Sequence, residues 1–237
     1  TAMEYQSDSI ALHQMKIFIL RAEGDTDGVV EVYKSLTAKY PEEVEFYNSL
    51  ATYLVANERL DEAEDVLRKL IETNPENLET KIWLAGFLAQ QRDLQLAETT
   101  VKEFITSHPD LYELRFALAE IYTAGGKDEE AAAVYADIIL ADGENIHGQN
   151  ARNAIILRNL DAGDTAGAAA LLKEVLKIEP ANELALTIQT TLFLQNGEIE
   201  SAIEGARLLV QNDAKSSAAM FLLASAHEAN GEKALAL

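Results

Sequence analysis

A chain of 237 residues, 48% apolar and with a formal charge of −21, can bury a substantial interior and is too apolar for disorder. Its 40 acidic against 19 basic side chains oppose binding to nucleic-acid phosphates or anionic membranes. The absence of cysteine excludes disulfides, thiolate metal sites and cysteine nucleophiles. No apolar run approaches the ~20 residues of a membrane span, so a soluble chain without direct membrane insertion is expected.

Pro41, Pro75 and Pro109 stand 34 residues apart, and Pro180 follows at two periods plus three residues. A fixed period of this size points to stacked supersecondary units, each contacting only its neighbours. Residues 1–9 read as an N-terminal tail. Residues 10–43 form a divergent first unit marked by Gly24, Tyr33, Leu36 and Pro41. Residues 44–77 are the clearest unit. Tyr47, Leu50, Ala51 and Leu54 recur at three- and four-residue steps, the stripe of an amphipathic helix, and a polar break follows at Asn57–Glu58. Leu60, Ala63, Leu67, Leu70 and Ile71 make a second stripe that ends at Asn74–Pro75, since proline cannot continue a helix without losing a hydrogen bond. The unit is therefore two antiparallel helices of roughly 12–14 residues.

The pattern continues over residues 78–111 (Leu84, Ala85, Leu88, Ala97, Pro109) and 112–145 (Leu118, Ala119, Tyr122, Ala131, Tyr135), where Gly143 replaces the proline. Residues 146–182 keep Gly163, Ala168, Leu172 and Pro180 but carry three extra residues. These suggest either a change of curvature or, more simply, a longer helix. Residues 183–216 keep Phe193, Gly197 and Ala202, and residues 217–237 supply a first helix only. Ala63, Ala97, Ala131, Ala168 and Ala202 share one phase, where a small side chain lets two helices cross closely. Gly24, Gly126, Gly163, Gly197 and Gly231 mark the turn between helices, where glycine supplies a left-handed conformation.

This arrangement resembles the tetratricopeptide repeat (TPR) family. That family's pattern has large residues at positions four and seven, small ones at eight and twenty, and proline at thirty-two. Residues 44–77 match it through Tyr47, Leu50, Ala51, Leu54, Ala63, Leu67 and Pro75, whereas Lys81 departs from it in the next unit. The resemblance implies an all-α fold, a right-handed superhelical solenoid of stacked antiparallel helix pairs, with about six units plus a terminal helix. It also implies a concave face lined by the first helices. Carried over residue by residue, that face presents Gln14, Phe18, Glu45, Asn48, Thr52, Glu79, Ile82, Glu113, Phe116, Glu120, Asn153, Thr187 and Thr191, with Phe221 further on. Glu45, Glu79 and Glu113 lie one period apart and are expected to form an acidic ladder beside the more apolar row Asn48, Ile82 and Phe116. The paired lysines with which some members grip a terminal carboxylate are missing from this phase.

No catalytic constellation competes with this reading. His13, His108, His147 and His227 lack metal-site spacing, so neither a metal nor a cofactor is expected. Asp61–Glu62 and Asp128–Glu129–Glu130 stand where second helices begin, and there they complement the helix dipole. The expected function is a non-enzymatic protein-interaction scaffold or adaptor. It would take a peptide or protein segment with basic, amphipathic character in the groove and would not bind nucleic acid. The alternative is a structural module of a larger bacterial envelope or polysaccharide-export assembly, and an envelope compartment is favoured over cytoplasm. Residues 217–229 offer Met220, Phe221, Leu222 and Leu223 and no obvious polar cap, so self-association through that end is a further expectation. Charge falls unevenly, with 29 acidic against 12 basic side chains over residues 1–145 and 11 against 7 beyond, which suggests two functional halves.

Overall fold

The computed structural model describes residues 10–232; the expected tail at 1–9 and the last five residues lie outside them. Thirteen α-helices and no strand are found among the described residues. The chain divides into two compact units between Lys127 and Asp128, inside the segment read from sequence as the fourth repeat. The first unit holds α1 (Ile10–Glu23), α2 (Thr26–Lys39), α3 (Val44–Ala56), α4 (Leu60–Thr73), α5 (Leu78–Gln91), α6 (Leu94–Ser107) and α7 (Tyr112–Ala124). The second holds α8 (Asp128–Asp142), α9 (Ile146–Asp161), α10 (Thr165–Ile178), α11 (Glu183–Asn196), α12 (Ile199–Asn212) and α13 (Ser217–Ala229). The fold is an all-α helix-pair solenoid of about six pairs and an additional helix. Within each unit, its principal packing joins each helix to the next or next-but-one in sequence.

The small-residue phase is where the pairs close. Ala63, Ala97, Ala131, Ala168 and Ala202 are fully buried, and so is Val29 in the divergent first pair. On the first helices, Ala51, Ala85 and Ala119 are buried too, whereas Ala224 on α13 is only half-buried. Tyr47, Leu50 and Leu54 of α3 and Leu67 and Leu70 of α4 fill the space around this crossing. Burial of each such aliphatic side chain stabilises the fold by roughly 1.5–3 kcal/mol.

The prolines occupy the turns from second to first helices. Before each, the last helical residue's successor donates its backbone N–H to a carbonyl four residues back, as Asn74 does to Leu70 and His108 to Phe104. Within pairs the turn uses a left-handed glycine at Gly24, Gly126, Gly163 and Gly197, whereas Arg92 in the third pair keeps a negative φ. The glycine's next neighbour then donates back across five residues, as Asp25 does to Leu20 and Lys127 to Tyr122. At the corresponding position of the second pair Glu58 adopts φ +59°, a conformation that costs a side-chain-bearing residue roughly 1–2 kcal/mol.

The three-residue insertion is taken up as helix, since α8 has 15 residues and α9 has 16 against 13 or 14 elsewhere. The turn before α9 is rebuilt without proline. The Asp142 carboxylate accepts from the backbone N–H groups of His147 (2.9 Å) and Gly148 (3.2 Å), and Arg152 donates to the Gly143 carbonyl (2.8 Å). Gly148 lies so close under Gly143 that a Cβ there would overlap the Gly143 carbonyl oxygen.

Ion pairs tie neighbouring pairs at the turn edge. Arg59 meets Asp27 at 2.6 Å, Arg92 bonds Asp61 and meets Glu64 at 3.2 Å, and Lys127 meets Glu98 at 2.7 Å. In the second unit Arg158 meets Asp128 at 2.8 Å. The acidic starts of α4 and α8 are therefore more than dipole complements, because Asp61 and Asp128 also hold the following pair.

Candidate functional site

The first helices of the first unit supply a face built from two clefts of different chemistry. The first has a volume of about 630 Å³ and lies between α1 and α3 over Tyr33 of α2; it brings together Glu45, Asn48 and Thr52, three of the residues expected on the concave face. Arg21 and Tyr53 complete it. The Arg21 guanidinium stacks 4.8 Å from the Tyr53 ring centroid and donates to the Tyr33 hydroxyl at 3.4 Å, while the two tyrosine rings lie 6.3 Å apart. Ring quadrupole and hydroxyl thus hold a cation in place at the edge of an otherwise polar, acidic surface. Arg21 was absent from the expected set, although it occupies the twelfth position of its unit, one of the four positions carried over.

The second cleft, of about 240 Å³, lies between α5 and α7. It joins Ile82 to Glu120 over the small side chains Ala85, Ala89 and Ala117. Glu79 and Glu113 are exposed in the first turns of those same helices. Phe116 is half-buried, and Gln14 and Phe18 are exposed on α1. Of the residues expected on the second unit, Asn153 is half-buried with its side-chain carbonyl oxygen buried and unbonded, and the Thr191 hydroxyl donates to the Thr187 carbonyl of its own helix. The lining of the two clefts does not include Glu79, Glu113, Phe116, Gln14 or Phe18.

Polar chemistry missed from the sequence lies beneath this face. Lys81, in the place where α3 has Tyr47, is fully buried. Its ammonium donates to the Pro75 carbonyl and lies 3.1 Å from His108 Nε2. Burial pushes the Lys81 pKa below its usual value. One period on, Arg115 makes the same contact with the Pro109 carbonyl at 3.0 Å. The two bonds span six residues each, whereas Tyr47 at the corresponding position donates its hydroxyl to the Thr37 carbonyl at 3.3 Å. At the joint between α6 and α7, Glu98 is buried between Lys102 (2.6 Å) and Lys127 (2.7 Å), whose ammonium groups lie over the Tyr122 ring, and the Tyr122 hydroxyl donates to Glu98 at 3.4 Å. Hydrogen bonds from Lys102 and Lys127 hold the Glu98 pKa at about 2, and Glu98 with Tyr122 raises Lys102 to about 12. These groups are spent on each other and on packing. His13 is half-buried in a cleft with Lys16 and Glu31, whereas His227 is buried beside Glu232. Among the described residues no three His, Asp or Glu side chains form a group that could hold a metal ion. No helix described is long and apolar enough to cross a membrane.

A stack of helix pairs carrying surface clefts, with cations at the turns tying one pair to the next, defines a helical-repeat protein. Two family models described as tetratricopeptide repeat match residues 20–77 and 54–110, and 88–145, respectively. The chain belongs to the tetratricopeptide repeat family, whose members are in general protein–protein interaction scaffolds. Among solved structures it is similar to a tetratricopeptide repeat protein from Parabacteroides merdae (14% identity, 95% of this chain and 88% of that one, TM-score 0.52). It is also similar to pilF of Pseudomonas aeruginosa (15%, 81% and 86%, 0.55) and to a chain of the Naa15/Naa10 complex bound to HypK-THB (18%, 90% and 33%, 0.52). These likenesses are of fold. No curated protein matches the chain significantly.

Proposed function

We propose that the first-helix face of residues 10–127 holds a protein segment rich in basic and apolar side chains. The observation that carries this reading is the placing of Glu45 and Glu120 on two clefts of one face, with Glu79 and Glu113 exposed at the same helical phase as Glu45. Many modest contacts on a pre-formed surface keep the ordering cost of binding low, and the carboxylates steer a basic partner. Replacing Glu45, Glu79 and Glu113 together with Gln is expected to weaken a captured basic partner several-fold and to flatten the salt dependence of its affinity. Unchanged affinity and salt slope in a titration from 50 to 300 mM salt, taken as about a sixfold range on the scale over which exposed charges are screened, would sink the reading.

Self-association through α13 belongs to the same proposal, motivated by Phe221 and Met220, which are 72% and 47% exposed. Light scattering across a concentration series decides it, and a mass that stays monomeric excludes it. The envelope alternative rests on composition, and a hydrophobic leader or lipobox encoded upstream of this segment would favour it.

A further inference from the structure

Gly86 lies inside α5, five residues before its end, where glycine costs a helix about 0.8–1.0 kcal/mol relative to alanine. Packing does not require it there. A Cβ built on Gly86 meets no atom within 4 Å, whereas one on Gly148 or Gly205 would overlap its neighbours. Its φ is not in the left-handed region either, so conformation does not require it. Gly86 does line the cleft between α5 and α7, across from Ala117 and Ile121, and Ile82 stands 37% exposed beside it. A helix-interior glycine with open space above it keeps that space free for something approaching from outside.

We infer that this cleft seats one bulky aliphatic or aromatic side chain of the bound segment, flanked in that segment by Lys or Arg. The inference rests on the groove reading above and narrows it to the residue that anchors the segment. Its floor is apolar, formed by Ile82, Ala89, Ala117 and Ile121, while Glu120 lies on its lining and Glu79 and Glu113 are exposed on the two helices that form it. The volume of about 240 Å³ is below the roughly 300–1,000 Å³ of small-molecule sites, which suits a side chain better than a metabolite. An apolar anchor ringed by opposite charge gives both affinity and direction, because the anchor is desolvated and the flanking ion pairs stay at the rim.

Two fluorescein-labelled decapeptides of equal charge test this by anisotropy on the intact chain, one with a Lys-Phe-Lys core and one with Lys-Ser-Lys. The Phe peptide is expected to bind about tenfold or more tightly, since burying a phenylalanine is favourable by that factor or better. Gly86→Leu, which fills the cleft from α5, and Ala117→Val, which fills it from α7, should each bring the Phe peptide down to the Ser peptide's affinity and leave the latter unchanged. Gly86→Ala serves as the folding control and should raise the melting temperature. If both peptides bind wild type equally and neither filling variant alters them, the anchor inference is overturned while the acidic groove stands. If neither peptide binds at millimolar concentration, the groove reading falls and the inference with it.

Discussion

Residues 1–127 hold 23 acidic and 12 basic side chains and residues 128–237 hold 17 and 7, net −11 and −10, yet ion pairs tie successive helix pairs more often in the first unit than in the second. In the first, cations at the turns reach back to acids of the preceding second helix, from Arg59 to Asp27, from Arg92 to Asp61 and Glu64, and from Lys127 to Glu98. In the second, Arg158 to Asp128 is the one ion pair of this kind among the described residues, and two glycines lie in close approach within single elements or pairs. Gly148 sits beneath the Gly143 carbonyl, and Gly205 sits against Thr190, so that neither glycine can carry a side chain without displacing its neighbour. Nearly equal net charge therefore hides a first unit whose successive pairs are tied by charges at three turns and a second so tied at one. The uneven charge seen when the chain is cut at residue 145 comes from the stretch 128–145, which holds six acids and no base and falls within the second unit.

Three substitutions sharpen or break this contrast. The largest effect is expected from Gly148→Ala. Its methyl group must displace backbone rather than a flexible side chain, and a loss of about 3 kcal/mol in urea unfolding is anticipated. A loss below about 0.5 kcal/mol would show that the turn before α9 does not depend on this close approach. Next comes Glu98→Gln, which leaves Lys102 and Lys127 without their carboxylate and should cost about 1–3 kcal/mol at pH 7. The Glu98 pKa is depressed on folding, from 4.5 to about 2, so its stabilisation is complete above about 4.5 and disappears as pH falls toward 2. Wild type and variant should accordingly differ most at neutral pH and converge in acid; parallel curves of stability against pH would contradict the charge-joined picture. The smallest change is a gain. Glu58→Gly relieves a left-handed residue and should raise stability by about 0.5–1 kcal/mol, read as a rise in melting temperature.

Much of the fold was readable from spacing alone, because two physical rules repeat with the period. Helices that cross closely need a small residue, and the five alanines in phase with Ala63 are all fully buried. Proline cannot continue a helix, and each of the four prolines opens a turn. The site was less legible. Position in the unit predicts which way Glu45, Asn48 and Thr52 face, but it does not say that Tyr33 and Tyr53 hold Arg21 beside them, since those contacts join residues of three helices. Lys81 was visible as a departure from the pattern. Its meaning needed the Pro75 carbonyl and His108, 27 residues away, to be brought within reach of it. The ion pairs at the joints had a signal that went unread: Asp27 and Asp61, like Glu64 and Glu98, are one period apart, and Arg59 and Lys127 are two.

The principal packing of every helix is with its first or second neighbour along the chain. Contacts of such short sequence span cost little loop-closure entropy, so each pair can dock as soon as its second helix exists, and folding is expected to be fast. During synthesis the growing chain would need to shelter only the apolar side of the pair most recently made, an exposed surface that stays the same size however long the array becomes.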